Sequence, residues 1–306
     1  MKISAPKATA KKWWQETFSS RMARLAGGIV VGVWLMLGWA QNQMPDRLML
    51  AETPAEAPIG TTTVGVLADM MEVQLDSFGG WLPNDLPLSP SYYTDNTANF
   101  QLGVLQVARH ASRVLRDNLS RQRTSDTVDK AADQAYSLLA NDPLKWMFPS
   151  AEGAFGGGVE QLRDFQNRLG DTAGFYPRSD NLVQLLESLA SELGAVNDRL
   201  LQARKSDEVS WNLVDDQFYY SQGVAWAMLA LVEAIAVDFE RVLMDKNAME
   251  ITRMIVTSLE EAQFDPWIVT NGGKSGVLAN HSSNLKAFLD DARQKINSLI
   301  SILRQG

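Results

Sequence analysis

Cysteine is absent from the 306-residue sequence, and histidine occurs only twice. Without cysteine, the chain can form no disulfide framework, no thiolate nucleophile and no cysteine-ligated metal site. His110 and His281 could join a carboxylate at a zinc ion, but neither belongs to an HExxH pattern, and packing or surface roles are the simpler interpretation. The sequence therefore predicts no metal and no cofactor.

Patterns typical of hydrolases and nucleotide-binding enzymes are also lacking. No GxSxG sequence is present, which leaves a serine hydrolase triad unsupported. Gly273-Lys274-Ser275 is similar to the end of a phosphate-binding loop, but Ile268 stands where that motif needs a glycine, and no strand precedes it. We interpret it as a polar turn. No catalytic residue is predicted from a motif, so an enzyme is not the favoured interpretation.

One long apolar run does occur, from Leu25 to Ala40, LAGGIVVGVWLMLGWA. A spanning helix needs about 20 apolar residues, and the uncharged flank extends this run to a predicted membrane anchor over residues 25–44. The spacing of Gly28 and Gly32 lets two helices approach closely and indicates a homo-oligomer, although glycine-rich spans also produce it by chance. The anchor side chains expected in the bilayer or at its surface are Leu25, Val31, Trp34, Leu37 and Trp39.

Charge is distributed unevenly on the two sides of this run. Residues 1–24 form a basic segment with six basic residues and one acid, whereas the chain after the run has a net charge of −13. The positive-inside rule predicts a cytoplasmic N-terminus and an exported body. A cleaved signal peptide is the alternative, because Gly38-Trp39-Ala40 has small residues where a signal peptidase needs them. A body this acidic is not expected to bind nucleic acid.

The rest of the chain divides into a linker and a helical body. Residues 45–63 are rich in Pro, Ala, Thr and Glu, which predicts an extended linker that lifts the body off the bilayer. Residues 64–306 form the body, as one domain or as two modules, 64–170 and 171–306. A faint similarity between Asp95-Asn96…Gly103-Val104 and Asp215-Asp216…Gly223-Val224 would follow from duplication, or from chance.

Apolar residues recur at helical spacing through the body, and no segment alternates as a strand does, so the predicted class is all-α, an antiparallel multi-helix bundle. Residues 146–158 contain a proline and a glycine triplet and are predicted as a loop. Val224 to Val232 is apolar on every face, which predicts burial, while Glu233 and Asp238 argue against a second span. The predicted helices cover about 64–75, 97–123, 128–139, 158–169, 182–200, 216–246, 248–263 and 283–303.

Two sets of residues are candidates for a binding surface that recognises anionic lipid, an envelope polymer or an envelope protein partner. One is a stripe of arginines on the helix face opposite Phe100 and Val107. The other consists of the aromatic side chains of the proline-rich loop 79–93. The arginines could instead pair with acids of the body. The candidate residues are Arg109, Arg113, Arg116, Arg123, Trp81, Tyr92 and Tyr93.

Glu233 interrupts a long apolar stretch and is a possible buried acid. A buried carboxylate must be paired or must have a raised pKa, because removing its charge from water is costly. It could act as a general acid or base. Alternatively, it pairs with an arginine or lies on the single polar edge of its helix.

Four phrases resemble a family of uncharacterised, mostly proteobacterial proteins with one N-terminal span: GWLPND at 80–85, RDNLSRQR at 116–123, PSAEGAF at 149–155 and FYPRSDNL at 175–182. The resemblance implies a bacterial inner membrane and a periplasmic body, and it implies no activity. The leading hypothesis is an anchored envelope scaffold or partner-binding module. The alternatives are a carboxylate-based envelope hydrolase centred on Glu233, and a protein that binds lipid or a small apolar ligand between its helices.

Overall fold

The computed structural model describes residues 7–54, 56–123, 125–205, 211–264, 266, 269 and 280–305. No β-strand occurs within these ranges, and the all-α class is confirmed. Gly273-Lys274-Ser275 lies outside the described residues. The helices are α1 (Lys7–Gln41), α2 (Thr61–Leu75), α3 (Asn96–Val114), α4 (Lys130–Leu139), α5 (Ala151–Asn167), α6 (Ser179–Lys205), α7 (Trp211–Asp238), α8 (Glu240–Asp245), α9 (Met249–Glu261) and α10 (His281–Arg304).

Among the described residues, two helices are long and apolar enough to cross a membrane, and their environments differ. In α1, only 6% of the most apolar 18-residue stretch within Arg21–Gln41 is buried. In α7, 78% of the most apolar 18-residue stretch is buried. Helix α7 is thus the central helix of the body, as its apolar faces predict. The apolar run of α1 remains uncovered: Leu25, Val31, Leu37 and Trp39 are all exposed.

Helices α3 and α7 form the centre of the body and run parallel, because Asn99 near the start of α3 donates to Asp216 near the start of α7 and the middles of the two helices also meet. A Cβ atom on Gly103 would lie 2.1 Å from the Tyr220 carbonyl oxygen, and one on Gly223 would lie 2.0 Å from the Phe100 carbonyl oxygen. The two contacts are related by the same 120-residue offset as the internal sequence similarity. This parallel pair differs from the antiparallel neighbours that we expected, since three helices connect α3 to α7.

The other helices pack antiparallel around this pair. Ser179 Oγ donates to the Leu303 carbonyl oxygen, and the Asn197 amide pairs with Asp290, so α6 and α10 run in opposite directions. The Gln166 amide donates to the Thr61 carbonyl oxygen at 2.8 Å, which sets α2 and α5 in opposite directions. The body therefore has two ends. We call the one at the starts of α3 and α7 the α1 end, and the other the far end.

The glycine triplet was predicted to be a loop, and the structure shows that this is wrong. Ser150 caps α5 by accepting a hydrogen bond from the Gly153 amide at 3.2 Å, and the helix continues through Gly156, Gly157 and Gly158. A Cβ atom on Gly158 would lie 3.0 Å from Leu139. Gly158 is tolerated in the helix because it allows α4 and α5 to pack closely.

The segment after α1 also differs from the spacer that we expected. Residues 42–54 and 56–60, which we call the strap, run along the side of the body from the α1 end to the far end. Met44, Leu48 and Leu50 pack against the core. At the far end, the Asp238 carboxylate accepts hydrogen bonds from the backbone amides of Gly60, at 2.8 Å, and Thr63, at 2.6 Å. The strap is extended, but it lies on the body.

Candidate functional site

The candidate site is the junction between α1 and the helical body. The loop of residues 79–95, which we call the aromatic loop, packs against the last turns of α1. The Trp34 indole donates to the Leu88 carbonyl oxygen at 3.2 Å, and the rings of Trp34 and Tyr93 lie 5.6 Å apart. A Cβ atom on Gly38 would lie 3.2 Å from Pro90. The body is thus in direct contact with the apolar helix.

The inner side of the aromatic loop is fixed by buried side chains. Gln101 is fully buried; its amide nitrogen donates to the carbonyl oxygens of Gln74 and Gly80, and its own oxygen accepts from the Leu82 amide at 2.9 Å. Trp81 is also fully buried, with its ring 4.9 Å from Phe155 and its indole donating to the Pro143 carbonyl oxygen at 2.8 Å. The loop therefore has a defined shape.

Trp81 consequently does not belong to a binding surface, and our placement of it there was wrong. Its indole fits between the loop and α5 because its one polar atom reaches a carbonyl oxygen. Tyr92 and Tyr93 are exposed, at 56% and 64%, and they remain surface candidates. Both tyrosines lie beside α1, with their own rings 5.4 Å apart.

A charged cluster holds the strap to the body. Arg47 forms an ion pair with Glu233 and a second one with Glu260, the latter at 2.7 Å. Next to it, the Trp226 indole donates to the Asp46 carbonyl oxygen at 2.9 Å. Of the alternatives left open for Glu233, the structure shows pairing with an arginine, since only 19% of this side chain is exposed and its oxygen faces the guanidinium. No sequence pattern indicated Arg47 as its partner.

A cavity of about 290 Å³ lies beneath this part of the strap. Its walls are largely aromatic and come from α3, α7 and the end of α9, while Arg47 and Glu260 supply charge at one side. Its volume is at the lower limit for small-molecule pockets. Glu233 is not among its lining residues. The apolar and aromatic residues that line the cavity include Met44, Phe100, Tyr219, Trp226, Leu229 and Phe264.

The predicted arginine stripe is divided between structural and exposed positions. Arg109 donates to the Leu139 carbonyl oxygen at 2.8 Å and so caps α4, and burial lowers its pKa. Arg116 pairs with Asp117 at 2.7 Å and stacks on Tyr136. Arg113 and Arg123 are exposed. A π-helical turn at Leu115–Leu119 changes the spacing of side chains after α3, so the helical wheel used for the prediction does not apply there.

Sequence reasoning missed a buried polar group between α3, α6 and α7. Glu192 accepts a hydrogen bond from the Tyr220 hydroxyl at 2.9 Å, and its other oxygen lies 3.2 Å from His110 Nε2. Burial acts to raise the pKa of Glu192, but the hydrogen bonds from His110 and Tyr220 outweigh it, and the pKa is lowered. The position of His110 at the edge of an apolar face was the only available signal.

A second missed group consists of three acids where α3 and α7 begin. Burial, together with the charge of Asp95, raises the pKa of Asp215 to about 7 and that of Asp216 to about 6. Asn99 donates to Asp216 at 3.2 Å. Among the described residues, no group of three or more His, Asp or Glu side chains is arranged to hold a metal ion. Burial makes ionisation of Asp215 and Asp216 unfavourable in the folded body.

The family described as "Uncharacterized protein conserved in bacteria (DUF2333)" matches residues 10–209 and 202–306. The chain belongs to this family. Membership confirms that the chain is of an uncharacterised bacterial family, as the four phrases indicated, and the DUF2333 description states no activity. The phrases contact one another in pairs: Trp81 of the first packs on Phe155 of the third, and the Leu119 carbonyl oxygen of the second accepts from the Tyr176 amide of the fourth. Neither the curated proteins nor the solved structures gave a match to the chain.

Proposed function

We propose that this protein is a single-pass protein of the bacterial inner membrane whose body acts in the periplasm as an envelope scaffold or partner-binding module. One observation carries the proposal: the apolar run of α1 is left bare, while the body has a core of its own and only its aromatic loop packs against the last turns of α1. A bare helix of this length needs a lipid environment. The basic N-terminal segment and the acidic body support the orientation.

Carbonate extraction of membranes and the intact mass of the protein test whether α1 is an uncleaved anchor. If α1 is an uncleaved anchor, the full-length protein stays with the membrane pellet after alkaline carbonate treatment, and its intact mass includes residues 1–40. A mature protein that begins after Ala40 and is released by carbonate would show that α1 is a signal peptide and would contradict the anchor.

The partner-binding role requires a partner whose binding depends on the candidate residues that are exposed. Tyr92 and Tyr93 are the exposed aromatic residues of the earlier candidates, and Arg113 and Arg123 are the exposed arginines. Crosslinking in native membranes, followed by mass spectrometry, should recover one dominant envelope protein. The yield should fall with Tyr92→Ala or Arg113→Glu but not with Arg253→Glu on the outer face of α9. Recovery of no specific protein, or equal recovery with all variants, would contradict this role.

A second candidate function, binding of lipid or a small apolar molecule, is favoured by the cavity under the strap. Aromatic walls with an arginine at one side suit an apolar molecule that carries an anionic group. Gln263→Trp, at the cavity wall, should displace such a ligand from purified protein in native mass spectrometry. A spectrum without ligand for the unchanged protein would contradict this candidate. A hydrolase is not proposed, since Glu233 is held by Arg47 and lies outside the cavity.

A further inference from the structure

The surface beside α1 carries a dense group of exposed apolar side chains on two neighbouring loops. Large apolar side chains that are exposed singly are ordinary, but a contiguous group marks an interaction site. Phe148 is 94% exposed and Leu88 is 88% exposed, the highest values among the exposed large apolar residues of the described chain. We call the group the loop patch; its members are Leu86, Leu88, Leu144, Trp146, Met147 and Phe148.

The two loops are fixed to each other and to α1. The Asn84 amide donates to the Lys145 carbonyl oxygen at 3.1 Å, and the Trp81 indole donates to the Pro143 carbonyl oxygen at 2.8 Å. On the other side, Trp34 donates to the Leu88 carbonyl oxygen. The loop patch therefore continues outward from the bare surface of α1.

We propose that the loop patch inserts into the outer leaflet of the bilayer that α1 spans, so that the body contacts the membrane at a second place. This inference rests on the proposed membrane anchoring. It follows from the depth at which the aromatic loop meets α1. A span needs about 20 residues, so α1 must stay in the bilayer until about Gln41. Trp34 lies seven residues earlier, which corresponds to about 10 Å of helix.

The chemistry of the loop patch agrees with this depth. The residues from Leu86 to Tyr93 include no acid or base, and the residues from Pro143 to Pro149 include only Lys145. The flanking acids are already engaged: Asp85 accepts from the Ser89 hydroxyl at 3.0 Å, and Asp142 accepts from the Leu144 amide at 2.9 Å. Tryptophan, lysine and bulky apolar residues are the composition of segments that enter the boundary between headgroups and acyl chains.

The experiment uses the lack of cysteine, which allows a single label at a chosen position. Phe148→Cys in the full-length chain is labelled with an environment-sensitive nitrobenzoxadiazole and reconstituted in vesicles of equal parts phosphatidylcholine and phosphatidylglycerol. Shallow doxyl-labelled lipids should quench this label and its emission should be blue-shifted. Met244→Cys is the matched control, because this residue is 54% exposed and apolar but lies at the far end. A label there should be unaffected.

A third label, at Val31→Cys in α1, separates the two proposals. Quenching at 31 and 148 but not at 244 supports loop insertion. Quenching at 31 alone overturns loop insertion and leaves the anchor intact, and it would also be the result if the loop patch bound a protein. Quenching at none of the positions removes the membrane anchoring itself. Because Phe148 is almost fully exposed, its replacement should leave the thermal unfolding temperature unchanged, which is checked in the same preparation.

Discussion

Asp215 shows how single side chains at the α1 end set the response to pH. Its pKa rises from 3.8 to about 7 because it is buried and faces Asp95 and Asp216. An acid with a raised folded-state pKa binds more protons in the native state, so stability falls as pH rises from about 4 to about 7. The body should therefore be more stable at pH 5 than at pH 8 with respect to this group.

Asp215→Asn should remove much of that pH dependence and should raise the free energy of unfolding at pH 8 by about 1 to 3 kcal/mol. The measurement is chemical unfolding of the detergent-solubilised protein at both pH values. Asp198→Asn, at an exposed position of α6, serves as the control and should change neither value. Equal free energies of unfolding for Asp215→Asn and the parent at pH 8 would show that the ionised carboxylate of Asp215 does not destabilise the fold.

Arg47 is the second residue-scale determinant, since it joins the strap to two acids of the body. Arg47→Ala leaves the partly buried carboxylate of Glu233 without its cation. We expect a loss of about 1 to 2 kcal/mol in unfolding free energy, reduced by the partial exposure of Arg47. The double variant with Glu233→Gln should recover part of the loss. Arg253→Ala, which breaks an exposed pair on α9, should cost less than about 0.5 kcal/mol.

At the scale of elements, the crossing of α3 and α7 depends on two glycines. Gly103→Ala or Gly223→Ala would place a methyl group about 2 Å from a backbone oxygen of the other helix, and neither backbone can move without separating the central pair. Each change should destabilise the protein by about 3 kcal/mol or more.

The control for this prediction is Gly156→Ala in α5, where an added Cβ would meet nothing within 4 Å. It should be neutral or stabilising by up to about 1 kcal/mol, because alanine is the better helix former. If Gly103→Ala unfolds at the same denaturant concentration as Gly156→Ala, the close crossing is not a feature of the molecule in solution.

Helices could be predicted from the sequence wherever an apolar stripe decides the outcome. Helix α10 was expected near 283–303 and occupies His281–Arg304, and α2 was expected at 64–75 and occupies Thr61–Leu75. The prediction for the glycine triplet was wrong because local propensity disfavours a helix there, whereas close packing on α4 compensates. The π-helical turn after α3 left no local signal, and it altered the predicted arginine surface.

The candidate site was harder to predict, because it is built from contacts between distant parts of the chain. Arg47 and Glu233 are 186 residues apart, and His110 and Glu192 are 82 apart. A single sequence identifies neither pair. The sequence placed Trp81, Tyr92 and Tyr93 together in the aromatic loop, but only the fold shows that Trp81 is internal and that Tyr93 contacts α1.

At the scale of the whole molecule, the body rests directly on its proposed anchor. The strap leads away from α1 to the far end, α2 returns, and the aromatic loop then closes on the last turns of α1. Gly38→Leu should disturb this closure, because a Cβ at this position already approaches Pro90 and Thr94. We expect faster proteolysis within residues 79–95 while the rest of the body stays resistant; an unchanged digestion pattern would contradict the contact.

The proposed function depends on α1 spanning a membrane with the body on the non-cytoplasmic side. The most direct measurement is labelling of single cysteines, Ser4→Cys before α1 and Ser301→Cys in α10, with a membrane-impermeant maleimide in spheroplasts. We expect labelling of position 301 in intact spheroplasts and of position 4 only after lysis. Labelling of position 4 with protection of position 301, or protection of both until lysis, would contradict this topology.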